Sequence, residues 1–245
     1  MLNVPLFRMS DSAPLPVIRM REVTAGAMND PAVTVVRGVN WSVGAGDFWV
    51  VSGQQGSGRS NFLMMTAGLM LPTDGEYELF GEPLSAFEED RLRQRLRVGF
   101  VFDGRHLFGQ LTVAENVALP LRYHRELPEA ELAGRVAQLL EAAGLADWAD
   151  SMAGTLGWVW QKRVGLARAL ALEPELLLLD NPLGGVDARH VTWWVDAVGK
   201  IAAGNWPGAA PRATTIVMTA DDTHPWQGHA RQFARLHNGG FELEK

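Results

Sequence analysis

Cysteine is absent from the 245 residues of this chain. That excludes a disulfide framework and a cysteine-ligated zinc centre, and it suits a reducing compartment. No uninterrupted apolar run approaches the roughly 18 residues a membrane-spanning helix needs. The longest runs, such as Leu176 to Leu179, have the length of buried strands. Basic charge is not in excess: 22 Lys and Arg against 28 Asp and Glu give a net charge of -6. A nucleic-acid groove usually leaves the opposite balance, so no nucleic-acid partner is expected. There is no internal repeat and no low-complexity linker. The first residues, MLNVPLFRMSDSAPLP, lack a charged start followed by a long apolar core, so they do not read as a secretory signal. Their prolines and small polar residues read as a loose leader over residues 1–15, with Met9 as an alternative start.

What is present is the composition of an ordinary globular protein, 47% hydrophobic and 20% charged. The length admits one large domain or two small ones. Strands are predicted at 17–23 and 33–36, followed by a pair joined by a turn within VNWSVGAGDFWVVSG. A helix is predicted over 60–69, a charged helix at EEDRLRQRLR, and a short buried strand at VGFVF. From Thr112 to about Leu145 the pattern is helical, and QKRVGLARALAL is a further helix running into the strand ELLLLD at 175–180. ARHVTWWVDAVGKIAAG reads as another helix, TTIVMTA as a strand, and the segment around Asn238-Gly239-Gly240 as a terminal hairpin. Strands alternating with helices imply an α/β protein with a largely parallel sheet and antiparallel pieces at its ends.

The residues Gly53-Gln54-Gln55-Gly56-Ser57-Gly58-Arg59-Ser60-Asn61 lie at a strand end and open a helix. Glycines there let backbone N–H groups wrap a phosphate, and the helix end adds partial positive charge. In such a loop Ser60 ligates Mg²⁺ and the preceding basic residue reaches the terminal phosphates. That residue is Arg59, a planar fork in place of the more compact lysine.

Further along, QKRVGLARALALEPELLLLDNPLGGVD at 161–187 resembles the stretch of ATP-binding-cassette (ABC) ATPases from the end of the signature motif to the D-loop. Upstream, VGFVFDGRHLFGQLTVAENVALPL resembles their Q-loop and the start of their helical subdomain. The resemblance covers roughly residues 17–240. It implies a P-loop NTPase fold with a largely parallel RecA-like sheet, an antiparallel β subdomain and a helical signature subdomain. The expected layout is a single nucleotide-binding domain, with 16–111 and 161–245 forming the RecA-like and β lobe and 112–160 the helical subdomain. By the same resemblance Asp180 holds Mg²⁺ through water, Asp103 stands at the Q-loop position as a further metal contact, and Asp187 is the D-loop aspartate. The implied cofactors are ATP and Mg²⁺. The implied partners are an integral-membrane permease, docking near Asp103 to Gln110, and a second ABC subunit in a homodimer or heterodimer. The implied location is the cytoplasmic face of a membrane. The ENVALPLR segment is similar to that of importers and of Mla-type lipid-trafficking systems.

Departures from the family pattern are as informative as the matches. The Q-loop glutamine is Asp103, the catalytic glutamate is Asn181, and the switch histidine is Ala220. The signature Leu-Ser-Gly-Gly-Gln aligns with Leu156, Gly157, Trp158, Val159 and Trp160. No aromatic residue lies between Phe7 and Trp41, where an adenine-stacking ring is expected. Asn181 cannot take a proton from an attacking water, and general-base work is worth about 10² to 10⁴ in rate. Trp158 and Val159 carry side chains where close backbone approach to a partner's γ-phosphate needs none. Asp103 adds negative charge near the phosphates unless metal or Arg105 compensates. The expectation is an ATP-binding transporter subunit with weak or no hydrolysis. The alternatives are an active ATPase with atypical residues and a scaffold that no longer binds nucleotide.

Other residues admit plainer readings. Trp158 and Trp160 either meet a partner or fill the chain's own helical subdomain. Trp193 and Trp194 read as helix packing. Arg91, Arg93, Arg95 and Arg97 read as a solvated helix face, and His224 as an exposed loop residue or a stand-in for the lost switch histidine. Asn181 has the further reading of a simple turn former.

Overall fold

The computed structural model describes residues 15–84, 88–104 and 106–244. Residues 1–14 and Arg105, on which the leader and the expected compensation of Asp103 fall, lie outside the described residues. Strand β1 (Ile18–Gly26) pairs antiparallel with β2 (Thr34–Val43) and with β4 (Asp74–Leu79), and β5 (Glu82–Pro83) completes a four-stranded sheet. The two strands predicted within 33–43 are one. Gly38, at a φ of 64°, and register shifts in the β1–β2 pairing absorb the irregularity.

The larger sheet has six strands in the order β10, β9, β3, β8, β7, β6. Here β3 is Phe48–Gly53, β6 Val98–Val101, β7 Leu176–Asp180, β8 Thr215–Ala220, β9 Gln232–His237 and β10 Gly240–Glu244. Every pairing within it is parallel except the β9–β10 hairpin. All five residues of β7 are buried, as a strand covered on both faces requires. One face packs on α3 (Val113–His124), α4 (Glu129–Ala142), α5 (Trp158–Leu170) and α6 (Ala188–Ala202), around Trp194, Leu166 and Trp226. The other packs on α1 (Arg59–Thr66) and the antiparallel sheet, around Trp41, Phe62 and Met65.

Two local devices fix the helical part. Thr112 and Glu115 form a capping box at the start of α3. The buried Asn116 accepts from the Phe108 N–H and donates to the carbonyls of Phe108 and Thr112 at 3.0 Å each, pinning the preceding loop. The predicted solvated arginine face does not hold. Along α2 (Glu88–Arg95) and beyond, residues two apart point to nearly opposite sides of a helix. Arg91 is accordingly buried while Arg93 is exposed. Arg97, past the helix end, clamps Glu175 through two bonds of 2.7 and 2.9 Å and stacks on Phe80.

That clamp joins the chain entering β6 to the chain entering β7. The Arg97 hydrogen bonds hold the Glu175 carboxyl below its usual range, against a smaller opposing effect of burial. A depressed carboxyl pKa contributes stability that is fully present above the unfolded value, about 4.3, and is lost as pH falls from there through the lower folded-state value. Both side chains are more than a third exposed, 41% and 36%, so solvent screening limits the pair to at most about 1 kcal/mol. Glu175→Gln should therefore lower stability by up to that amount at pH 7 and by less at pH 3.5, measured by urea unfolding. An equal deficit at both pH values would contradict the assignment.

Candidate functional site

Strand β3 ends at Gly53 between β8 and β9, and the chain then turns through residues 54–58 into α1. Gly56 and Gly58 hold φ values of 82° and 89°, the left-handed region that favours glycine. A Cβ at Gly58 would sit 1.8 Å from Cγ1 of Val35, so the loop also packs too closely on β2 for any side chain there. Within this loop the Ser57 hydroxyl and Nη1 of Arg59 are buried with no hydrogen-bond partner. Buried polar groups are almost always satisfied, so two unpartnered donors beside a helix amino end fit an anion.

The loop floors a cavity of about 780 Å³, lined by Gln55, Gly56, Gly58, Arg59, Ser60, Asn61, Asp103, Trp158, Asn181, Gly184, Gly185 and Asp221. Its construction follows from the parallel sheet. The carboxyl ends of β3, β6, β7 and β8 deliver, respectively, the phosphate loop, Asp103, Asn181 and Asp221 to one rim. Ligands of open α/β sheets bind outside such strand ends. Gly53 and Gln54 line an adjoining cleft with Asp222 and His237. The buried Asp180, at the end of β7, accepts from the Thr219 hydroxyl at 2.7 Å.

One buried cation organises the rim. Lys162 of α5, with its side chain 2% exposed, donates to Asp103 Oδ1 at 2.8 Å and to the carbonyls of Asn181 and Gly184 at 2.9 Å each. All three ammonium donors are thereby used. Asn181, in the left-handed region at φ 45°, donates its amide to Asp103 at 3.2 Å and to Asp221 at 3.1 Å. Asp221 in turn pairs with Arg59 at 2.5 Å. Burial alone would raise the Asp221 pKa. The hydrogen bond and charge of Arg59, with help from Asn181 and Lys162, outweigh it and hold the carboxyl low. Asn181 is thus more than a turn former: it bridges two carboxylates, a task a carboxylate there could not perform.

The remaining sequence-derived positions divide. Of the signature segment, only Trp158 reaches the cavity. Its ring lies 5.1 Å from the Lys162 ammonium, and its indole N–H lies 3.5 Å from the Gly184 carbonyl. Helix α5 begins at Trp158, three residues before the predicted start at Gln161, with Gly157 as its N-cap. Trp160 packs inside the chain, against Trp148, His190 and Arg163. Arg163 lies between Trp160 and Trp193, and burial, followed by repulsion from Arg189, brings its pKa down to about 10. Trp194 is fully buried, as helix packing predicts. Leu156, Gly157 and Val159 stand off the cavity. Asp187 caps α6 through the His190 N–H. Ala220 ends β8, buried against β3. His224 is exposed on a short turn and does not line the cavity.

Sequence reasoning missed Lys162 and Asp221. The available signal was a charge imbalance. The partly buried Asp103 demands a nearby cation, and QKR places Lys162 on a face of α5 whose neighbours Gln161 and Val164 are buried. Among the described residues no cluster of three or more His, Asp or Glu could hold a metal by itself. Mg²⁺ commonly takes one or two carboxylates plus phosphate oxygens and water, and Ser60 with Asp180 fits that pattern. Asp103 is less available to a metal, since both its oxygens are already engaged.

Removing Lys162 should expose how much the rim depends on it. Lys162→Met strands one carboxylate and two carbonyls, and should cost about 3 kcal/mol in denaturant unfolding. That is the low end for a buried pair, because Asp103 is 35% exposed. Adding Asp103→Asn should recover more than about 1 kcal/mol of the loss, a coupling expected only between partners. Strictly additive losses would contradict the pairing.

The ABC transporter family pattern matches residues 36–184. The chain is 36% identical over 173 residues to the methionine import ATP-binding protein MetN of Brucella abortus, covering 70% of this chain and 46% of that protein. It is 36% identical over 178 residues to the pyoverdine export ATP-binding/permease protein PvdT of Pseudomonas fluorescens, covering 71% of this chain and 27% of that one. The match therefore spans about half the length of MetN and less of PvdT. Among solved structures, the ATP-binding cassette MJ0796, a dimer in a post-hydrolysis state with ADP and Pi, superposes with a TM-score of 0.83 at 25% identity, covering 93% of this chain and 98% of that one. The fold of cbiO1 from Clostridium perfringens, part of the transporter complex cbiONQ, is also similar, with a TM-score of 0.78 at 22% identity, covering 93% of this chain and 87% of that one. The parallel sheet, the glycine loop at the end of β3 and these matches together make the chain a member of the ABC transporter family, with the P-loop NTPase fold of its ATP-binding subunits.

Proposed function

We propose that this ATP-binding subunit holds MgATP in the cavity at the strand ends and hydrolyses it weakly or not at all. The phosphates would lie on the loop from Gly53 to Asn61, with Arg59 beside the terminal phosphate and Mg²⁺ on Ser60 and Asp180. The unpartnered Ser57 hydroxyl and Arg59 Nη1 support that reading.

The observation that carries the loss of hydrolysis is the closed network on the rim. The carboxylates that line the cavity are Asp103 and Asp221, and each is already bound by a cation and by Asn181. A general base must be free to take a proton from water within hydrogen-bond reach of the phosphate. Asn181 has no such capacity, and Ala220 has no polar group to offer the transition state. On this reading nucleotide binding changes the shape of an assembly without powering repeated turnover. The chain would work with an integral-membrane permease near Asp103 to Gln110 and with a second ABC subunit, identical or not, at the cytoplasmic face of a membrane. The similarity to MetN and PvdT, both named as ATP-binding transport proteins, supports that setting. Among the described residues no helix is long and apolar enough to cross a membrane.

Titration calorimetry should detect MgATP binding, weakened by the missing aromatic partner for adenine. A phosphate-release assay on the same sample should read at least about 10²-fold below the enzyme median of about 10 per second. Absence of any binding at millimolar ATP would sink the proposal in favour of a scaffold. Turnover near the median would favour an ATPase with altered catalytic residues.

A further inference from the structure

The two carboxylates of the cavity are not equivalent. Asp103 is neutralised by Lys162, which stands outside the cavity lining. Asp221 is paired with Arg59, the same cation that an incoming terminal phosphate would need. Arg59 is nearly buried, its side chain 10% exposed, whereas the Asp221 side chain is 58% exposed and has solvent beside it. Two donors of the phosphate loop, Ser57 Oγ and Arg59 Nη1, remain buried without a partner while Asp221 holds Arg59 Nη2.

We propose that Asp221 is a built-in competitor for the nucleotide's terminal phosphate, and that it makes binding depend on a divalent cation. Its carboxylate occupies part of the anion-binding capacity of Arg59. A metal-free triphosphate approaching the cavity meets both that carboxylate and the loss of its own favourable contact. A triphosphate carrying Mg²⁺ has two of its charges offset, so it tolerates Asp221 nearby or displaces it toward solvent. Asn181 steadies the competing state by donating to the second Asp221 oxygen at 3.1 Å. The inference rests on the nucleotide-binding reading above and adds to it which residue sets the preference for the metal complex.

The test is calorimetric titration of the full chain with ATP, once with Mg²⁺ and once with EDTA. Asp221→Asn keeps the size and a neutral acceptor for Arg59, and Asp221→Ala removes the acceptor. Asp222→Asn is the control: it makes the same change in net charge one residue away, and keeps its bond to the His224 N–H. Circular dichroism melts establish that each variant is folded. Both Asp221 variants should bind metal-free ATP about tenfold more tightly than wild type, a free-energy change of about 1.4 kcal/mol. They should gain less with Mg²⁺, and Asp222→Asn should gain nothing. Wild type binding MgATP with no gain in either Asp221 variant would overturn this inference and leave the nucleotide-binding reading standing. An equal gain from Asp222→Asn would also overturn it, by showing a general charge effect. No binding by wild type or any variant would overturn both.

Discussion

The Lys162 ammonium is the constraint on which the rest of the site depends. A lysine at 2% exposure is tolerable only with its charge matched and its three donors used. Asp103 and the carbonyls of Asn181 and Gly184 meet both demands. Those partners come from the ends of β6 and β7, so one side chain ties α5 to two strand ends of the large sheet. The shape of the cavity rim follows from that tie. Asn181 is held in a left-handed conformation, which its short polar side chain tolerates. Gly184 leaves room for it: a Cβ there would come within 2.4 Å of the Asn181 amide nitrogen.

From this arrangement the substitutions read as one rebuilt site. Asp103 requires a cation, and Lys162 supplies it. With Asp103 and Asp221 on either side, a neutral donor at position 181 is favoured over a carboxylate, because a third negative charge would face two others at about hydrogen-bond distance. Trp158 then covers Lys162 and the Gly184 carbonyl within the same chain. Each of these residues makes physical sense given the others, and together they form a rim whose charges are compensated within the chain.

Much of the fold was legible in the residues. The glycine loop after a buried strand, the four leucines before Asp180, and the helical periods between residues 113 and 202 all specify their elements locally. The limits of β2 and α5 were harder to read. Gly38 looks like a strand end but is an irregularity within a paired strand, and Trp158 to Trp160 precede the predicted start of α5 but form its first turn. The candidate site was legible in its local parts, the glycine loop, Asp103 and Asn181, and not in the pairings that join them. The roles of Lys162, Asp221 and Arg97 arise from contacts across 59, 162 and 78 residues of sequence. No local period or motif encodes such pairings, although the unbalanced Asp103 hinted that one must exist.

The same network bears on what restoring single catalytic residues would achieve. A glutamate at 181 would lose the bridge to Asp103 and Asp221 and add charge beside both. A histidine at 220 would have to enter a buried strand end packed on β3. On the proposed function, a second copy of this chain would bring Trp158 and Val159 to the facing site. The most direct measurement is therefore phosphate release by the purified Asn181→Glu/Ala220→His chain alone, under single-subunit-type conditions with saturating MgATP. The account predicts no gain over wild type, whereas turnover approaching the enzyme median of about 10 per second would contradict it.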